Sequence, residues 1–248
     1  MYKYFSTLLI FIFSMISVFS FNMDTGLSLS DASFFGENAG DSSSSSVNGV
    51  GDVNGDGFDD FIIGAPINAQ NDPNGGQTYL ILGRSSGWSM DTNLSLSNAS
   101  FIGENLGDYS GGSVSGVGDV NGDGFDDFII GASGNSQGGA AAGQTYLILG
   151  RSSGWSMDTD LSLSNASFIG EDSVDLSGDS VSGVGGVNGD GFDDFIIGAY
   201  GDEDGGGAYA GQNYLILGRS SGWSMDTDLS LSNASFIGEA TFDSSGDS

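Results

Sequence analysis

The chain has no cysteine and no histidine, only 2 prolines, and 4 basic residues against 33 acidic ones in 248. Without cysteine there is no disulfide framework and no thiolate chemistry. Without histidine the usual general base and the commonest transition-metal ligand are missing, so catalysis is impoverished although not excluded. The net charge of −29 argues against nucleic acid or an anionic membrane as partner, since both are met by basic patches. No segment keeps an apolar period of roughly 3.6 residues, so helices should be scarce. Long apolar runs are missing as well. The first twenty residues carry one positive charge, at Lys3, and an apolar stretch from Thr7 to Phe19, short of the roughly 20 residues that span a bilayer. With Val18 and Ser20 as the small residues before a cleavage site, this is the layout expected of a cleaved secretory signal peptide over 1–20.

What the chain does have is repetition, over 21–248. Gly49–Ala65 reads GVGDVNGDGFDDFIIGA, and it returns at Gly116–Ala132 and, with one change, at Gly183–Ala199. Asp52, Asp119 and Gly186 are 67 residues apart, and Trp88, Trp155 and Trp223 are 67 and 68 apart. Each period holds four strand-like segments between Gly, Ser and Asn; in the second they are Ser113–Asp119, Asp127–Ala132, Gln144–Gly150 and Ala166–Glu171. Four short strands per period predict an all-β chain of β-propeller blades, each of four antiparallel strands. The blades are expected at about 46–104, 113–171 and 180–239, with 27–37 an extra N-terminal outer strand. Closed propellers have about four to eight blades. Three full blades therefore predict an incomplete or open propeller: a fragment, an arc, or a subunit that closes with partner chains.

The core of the repeated stretch is D-x-N-x-D-G-x-x-D. Asp52, Asn54, Asp56 and Asp60 place four oxygen-bearing side chains in one short loop bent by Gly57. A hard cation with roughly six to eight oxygen ligands in a flexible cage, calcium before magnesium, suits that spacing. An EF-hand would need a carboxylate at about the twelfth position; Ile63, Ile130 and Ile197 stand there, inside apolar strands. A lone copy would pass as a polar turn, but copies at one period, each feeding the same strand, point to cation binding. Asp59, Asp126 and Asp193 alternate away from the loop and are expected to be solvated edge residues.

The run SVSGVGDVNGDGFDDFIIGA followed by GQTYLILG resembles the FG-GAP repeat of integrin α-subunit propellers. The resemblance implies that the calcium loop joins the first and second strands of a blade. It implies ligands from Asp52, Asn54, Asp56, the Phe58 carbonyl and Asp60 in the first loop. In the second they would be Asp119, Asn121, Asp123, the Phe125 carbonyl and Asp127. In the third Asn188, Asp190, the Phe192 carbonyl and Asp194 match, but Gly186 stands where an aspartate is expected. Weaker binding there, or none, is the expectation.

These features predict a secreted or cell-surface, non-catalytic module that binds calcium. Its expected partners are a protein or glycan ligand at an extracellular surface, or further propeller chains. A repetitive structural or calcium-buffering matrix protein is the alternative, as is an accessory propeller fragment of a larger hydrolase. The tryptophans are expected to pack between blades. The segments between second and third strands, 66–76, 133–143 and 200–211, vary most, and loops of that kind carry recognition. Asn93, Asn98, Asn165 and Asn233 lie in N-x-S sequons, relevant where the host glycosylates secreted proteins.

Overall fold

Short β-branched and aromatic runs broken by glycine favour short strands over any other element. The computed structural model describes Leu27 and residues 30–70, 73–204 and 206–247. The signal peptide expected over 1–20 lies outside the described residues. A two-residue strand, β1 (Phe34–Phe35), comes first. It is followed by β2 (Ser46–Gly51), β3 (Asp60–Ala65), β4 (Gln77–Ile81), β5 (Thr92–Asn93) and β6 (Ala99–Ile102). The next period gives β7 (Val114–Gly118), β8 (Asp127–Ala132), β9 (Gln144–Ile148), β10 (Thr159–Asp160) and β11 (Ala166–Ile169). The third gives β12 (Ser180–Gly185), β13 (Asp194–Ala199), β14 (Gln212–Ile216), β15 (Thr227–Asp228) and β16 (Ala234–Ile237). Among the described residues no helix is long and apolar enough to cross a membrane.

The chain is all-β. The strands β2-β3-β4-β6, β7-β8-β9-β11 and β12-β13-β14-β16 make three blade-like antiparallel sheets, the arrangement of an incomplete propeller. The first two blades also receive a short parallel strand from the following repeat: Thr159 lies opposite Phe101, and Thr227 opposite Phe168. β1 meets β5 in the same way, with Phe34 opposite Thr92, so Phe34–Phe35 occupies the place of an outer strand. First strands of adjacent blades lie side by side. The Val114 N–H donates to Ser46 Oγ and the Val181 N–H to Ser113 Oγ, both at 3.1 Å.

An aromatic trio spans each blade junction. Phe101 of blade one meets Phe128 of blade two edge-on at 5.6 Å, and Trp155 stacks on Phe128 at 6.3 Å. Phe168, Phe195 and Trp223 repeat this, as do Phe34, Phe61 and Trp88. Arg84, Arg151 and Arg219 lie over the three indoles at 4.3–4.5 Å. All but one of the chain's basic residues are thus spent on cation–π contacts at these junctions. The tryptophans pack between blades, as expected.

At the opposite ends of the blades lies a buried polar network. In blade one Asn68 Nδ2 donates to Asp41 Oδ2 (3.2 Å) and to the Tyr79 hydroxyl (3.0 Å). Asn135 does the same for Asp108 and Tyr146 in blade two. In blade three the asparagine is replaced by Asp202, which accepts from the Tyr214 hydroxyl at 2.9 Å and shares a cavity with buried Asp175. Burial raises the Asp202 pKa, and burial with the nearby Asp202, Asp172 and Glu171 charges pushes Asp175 up to about 6. A carboxyl raised in the folded state stabilises it fully below the unfolded pKa and loses that contribution as pH rises through the folded value. Asp202→Asn, which restores the amide donor, is therefore expected to stabilise the chain by about 1 kcal/mol at pH 7.5. At about pH 4.5, where the native carboxyl pair holds a proton, the gain should shrink towards zero. Urea unfolding at the two pH values checks this; an equal effect at both would contradict it.

Candidate metal centre

Each D-x-N-x-D-G loop joins the first and second strands of its blade and leaves the first strand through a bulge. The register shifts between Gly49 and Gly51, and again between Gly116 and Gly118 and between Gly183 and Gly185. Gly51, Gly118 and Gly185 have φ of 71°, 70° and 67°, a backbone that glycine reaches without a Cβ penalty. The bulge turns the chain out of the sheet and into the loop.

In the first loop Asp52 Oδ1 accepts from the N–H of Gly55 (2.7 Å) and Asp56 (3.0 Å), and its Oδ2 from the N–H of Gly57 (2.8 Å). Asn54 Oδ1 accepts from the Asp56 N–H, and Asn54 Nδ2 donates to Asp56 Oδ2. Asp56 Oδ1 accepts from the Phe58 N–H at 3.0 Å. Asp60 is buried at the head of β3, where its two oxygens accept from the N–H of Val53 (3.0 Å) and Gly83 (2.7 Å). The second loop repeats the arrangement with Asp119, Asn121, Asp123 and Asp127. In the third, Asn188, Asp190 and Asp194 keep their places. Gly186 brings no carboxylate to that loop.

The donor set is all oxygen, and it is electrostatically loaded. Burial pushes the Asp60 carboxyl up to about 6, with Asp56 and Asp52 adding repulsion. Asp127 is pushed up to about 7 in the same way, with Asp123 and Asp119 as its neighbours. Among the described residues no three carboxylates meet in the geometry of a bound metal; the loop carboxylates accept from backbone N–H groups instead. A carboxylate oxygen that accepts one hydrogen bond keeps a second lone pair. In the third loop a Cβ built on Gly186 would come 2.9 Å from the Phe192 carbonyl oxygen. That carbonyl therefore lies across the loop from the position at which the first aspartate stands in the other two loops. In kind, the all-oxygen donors present are those a hard cation takes.

The expected solvated edge positions divide. Asp59 is exposed. Asp126 and Asp193 are not edge residues: Asp126 Oδ2 accepts from the Asp52 N–H at 2.8 Å, and Asp193 Oδ2 from the Asp119 N–H at 3.1 Å. Strand alternation turns them away from their own loop and onto the preceding blade's loop, a contact 74 residues away in sequence that no local pattern could reveal.

The FG-GAP repeat profile matches residues 46–81 and 110–148. Each matched segment contains one complete loop with its flanking strands, while the third loop, with Gly186, lies outside both. The chain is also 29% identical over 149 residues to integrin alpha-4 of Xenopus laevis, covering 60% of this chain and 14% of that protein. It thus matches only a small part of that relative's length. The loop-bearing cores of the first two blades are thus the parts of this chain that are similar to FG-GAP repeats.

Proposed function

We propose that this chain is a secreted or cell-surface propeller module that binds calcium in its blade loops and serves non-catalytic adhesion or recognition. The observation that carries the proposal is the same hydrogen-bonded all-oxygen loop, built twice and feeding the same buried strand each time. Asp52, Asn54, Asp56 and Asp60 would hold one ion with the Phe58 carbonyl. Asp119, Asn121, Asp123 and Asp127 would hold another with the Phe125 carbonyl. Bound calcium would offset the repulsion among these carboxylates and stiffen the loop. The similarity to an integrin alpha subunit supports an extracellular setting with a protein or glycan ligand. Calcium modules there work at roughly 10⁻⁴ to 10⁻³ M.

The topology supports a separation of two tasks. The metal loops lie where β3, β8 and β13 begin, and the variable segments 66–76, 133–143 and 200–211 follow where those strands end. Recognition by the variable segments would then act at one end of the blades, with calcium bracing the other. Asn98, Asn165 and Asn233 are exposed on the turns before the outer strands, where glycans would be accommodated without disturbing either end.

Titration calorimetry tests the metal assignment. The native chain is expected to take up about two calcium ions, and Gly186→Asp about three, since that change restores the missing donor. Loop three must widen slightly to accept the side chain, because of the close Phe192 carbonyl. No heat of binding in either protein would sink the calcium proposal.

A further inference from the structure

The two loops that carry a full donor set are not independent. Residues Phe125, Asp126 and Asp127 belong to loop two, yet the first two of them are built into loop one. Asp126 and Asp52 exchange hydrogen bonds: Asp126 Oδ2 accepts from the Asp52 N–H at 2.8 Å, and the Asp126 N–H donates to the Asp52 carbonyl at 3.3 Å. The Phe125 ring lies over Gly55, so close that a Cβ there would meet Cε1 at 2.7 Å. One strand further on, the Arg151 N–H donates to the Val53 carbonyl at 2.8 Å. Asp127, next in sequence, is anchored within blade two by Val120 and Gly150. The junction of loops two and three is the same: Asp193 and Asp119 exchange hydrogen bonds, the Phe192 ring lies over Gly122, and the Arg219 N–H donates to the Val120 carbonyl.

We infer that the loops bind calcium as a coupled series, with the Phe-Asp pair of each loop acting as a clamp on the loop before it. The inference rests on the calcium reading proposed above. Asp52 is the first donor of loop one, and its backbone is held by a residue flanked on both sides by donors of loop two. Fixing Phe125 and Asp127 around one ion fixes Asp126 between them, and so pre-orders Asp52 and Gly55 for the next ion. Less ordering then remains for the second binding event, which is positive coupling. By linkage the effect is reciprocal: an ion in loop one favours loop two by the same factor. Loop three, although short of a carboxylate, still supplies the complete clamp for loop two. Its retention of Phe192 and Asp193 fits a bracing role. Asp126 and Asp193 are positioning residues in this scheme, since each acts through the backbone of the preceding loop's first aspartate.

The test is a calcium titration followed by NMR through the amides of Gly55 and Gly57 for loop one, and of Gly122 and Gly124 for loop two. Asp126→Ala is expected to raise the calcium midpoint of both sets, by about tenfold for loop one. Asp126→Asn, which keeps an acceptor oxygen, should restore most of the native midpoint. A second variant leaves the clamp whole: Asp56→Asn weakens loop one directly and should raise the midpoint at Gly122 and Gly124 several-fold. Loop two midpoints within about twofold of native in Asp56→Asn, with loop one weakened, would overturn the coupling alone. No calcium-dependent shift in the native chain would overturn the calcium reading and the coupling together.

Discussion

Asp127→Ala is expected to cost the folded chain about 3 kcal/mol, the largest single-residue effect among the loop positions. The Asp127 side chain is fully buried, and its two oxygens accept from the N–H groups of Val120 (2.9 Å) and Gly150 (2.7 Å). Those donors come from the loop itself and from the end of β9, so this one carboxyl ties the loop to the third strand of its blade. Alanine leaves both N–H groups unpaired in a place water does not reach, at roughly 1–3 kcal/mol each. The full sum is not expected, because the carboxyl itself is strained by burial, as its raised pKa of about 7 shows. Asp127→Asn retains one acceptor oxygen and should cost about half as much. Asp59→Ala, at an exposed position beside the equivalent Asp60, should stay within about 0.5 kcal/mol. Urea unfolding of the three variants in chelator separates this structural contribution from metal binding. A cost below about 1 kcal/mol for Asp127→Ala would mean the two donors find other partners.

The period, the four strands of each blade and the loop between the first and second strands were legible because each is written in adjacent residues. Phe-Ile-Ile after the acidic loop, bounded by glycine, leaves a buried strand as its only economical use, and β3, β8 and β13 are such strands. The same locality limits what can be read. Thr159–Asp160 pairs with Phe101–Ile102 across a blade junction, and two residues are too few to show a period. Asp126 sits on the outward side of its own strand by alternation, which is correct as local geometry. Its outward side is the preceding blade's loop rather than water, and only the packing of blades shows it. Asp202 is a further case. In the sequence it is one acid among many in an acidic, glycine-rich insert. In the fold it stands where Asn68 and Asn135 donate to a buried carboxylate, so one change of atom from nitrogen to oxygen turns a hydrogen bond into a proton-dependent contact. The acidic and amide side chains of each loop lie in the order their spacing implies, while the hydrogen bonds add how each carboxylate is held.

Removal of calcium is expected to lower the thermal midpoint by about 10–20 °C at pH 8, and by much less at pH 5. With two sites each saturated to about a hundred times its dissociation constant, ligand linkage contributes about 5 kcal/mol, and a chain of this size shifts by about 2–4 °C per kcal/mol. The pH dependence follows from the loop carboxyls. Asp60 and Asp127 are raised to about 6 and about 7 from an ordinary 3.8, burial being the larger cause and the neighbouring aspartates a smaller one. In chelator their contribution to stability is complete below pH 3.8 and is lost as pH rises through 6 to 7, so the metal-free chain should melt earlier at pH 8 than at pH 5. Calcium acts in the opposite direction. Its ligands must be ionised, so its affinity grows over the range in which the metal-free chain weakens. In millimolar calcium the slope of midpoint against pH should therefore flatten or change sign. Scanning calorimetry at the two pH values, with and without chelator, gives four midpoints that decide the matter. Equal midpoints with and without calcium at pH 8 would rule out these loops as stabilising cation sites. A calcium effect of the same size at pH 5 would place the bound ion away from Asp60 and Asp127. A pH-dependent effect confined to the acidic loops would tie the chain's stability to the chemistry of the repeat around which it is built.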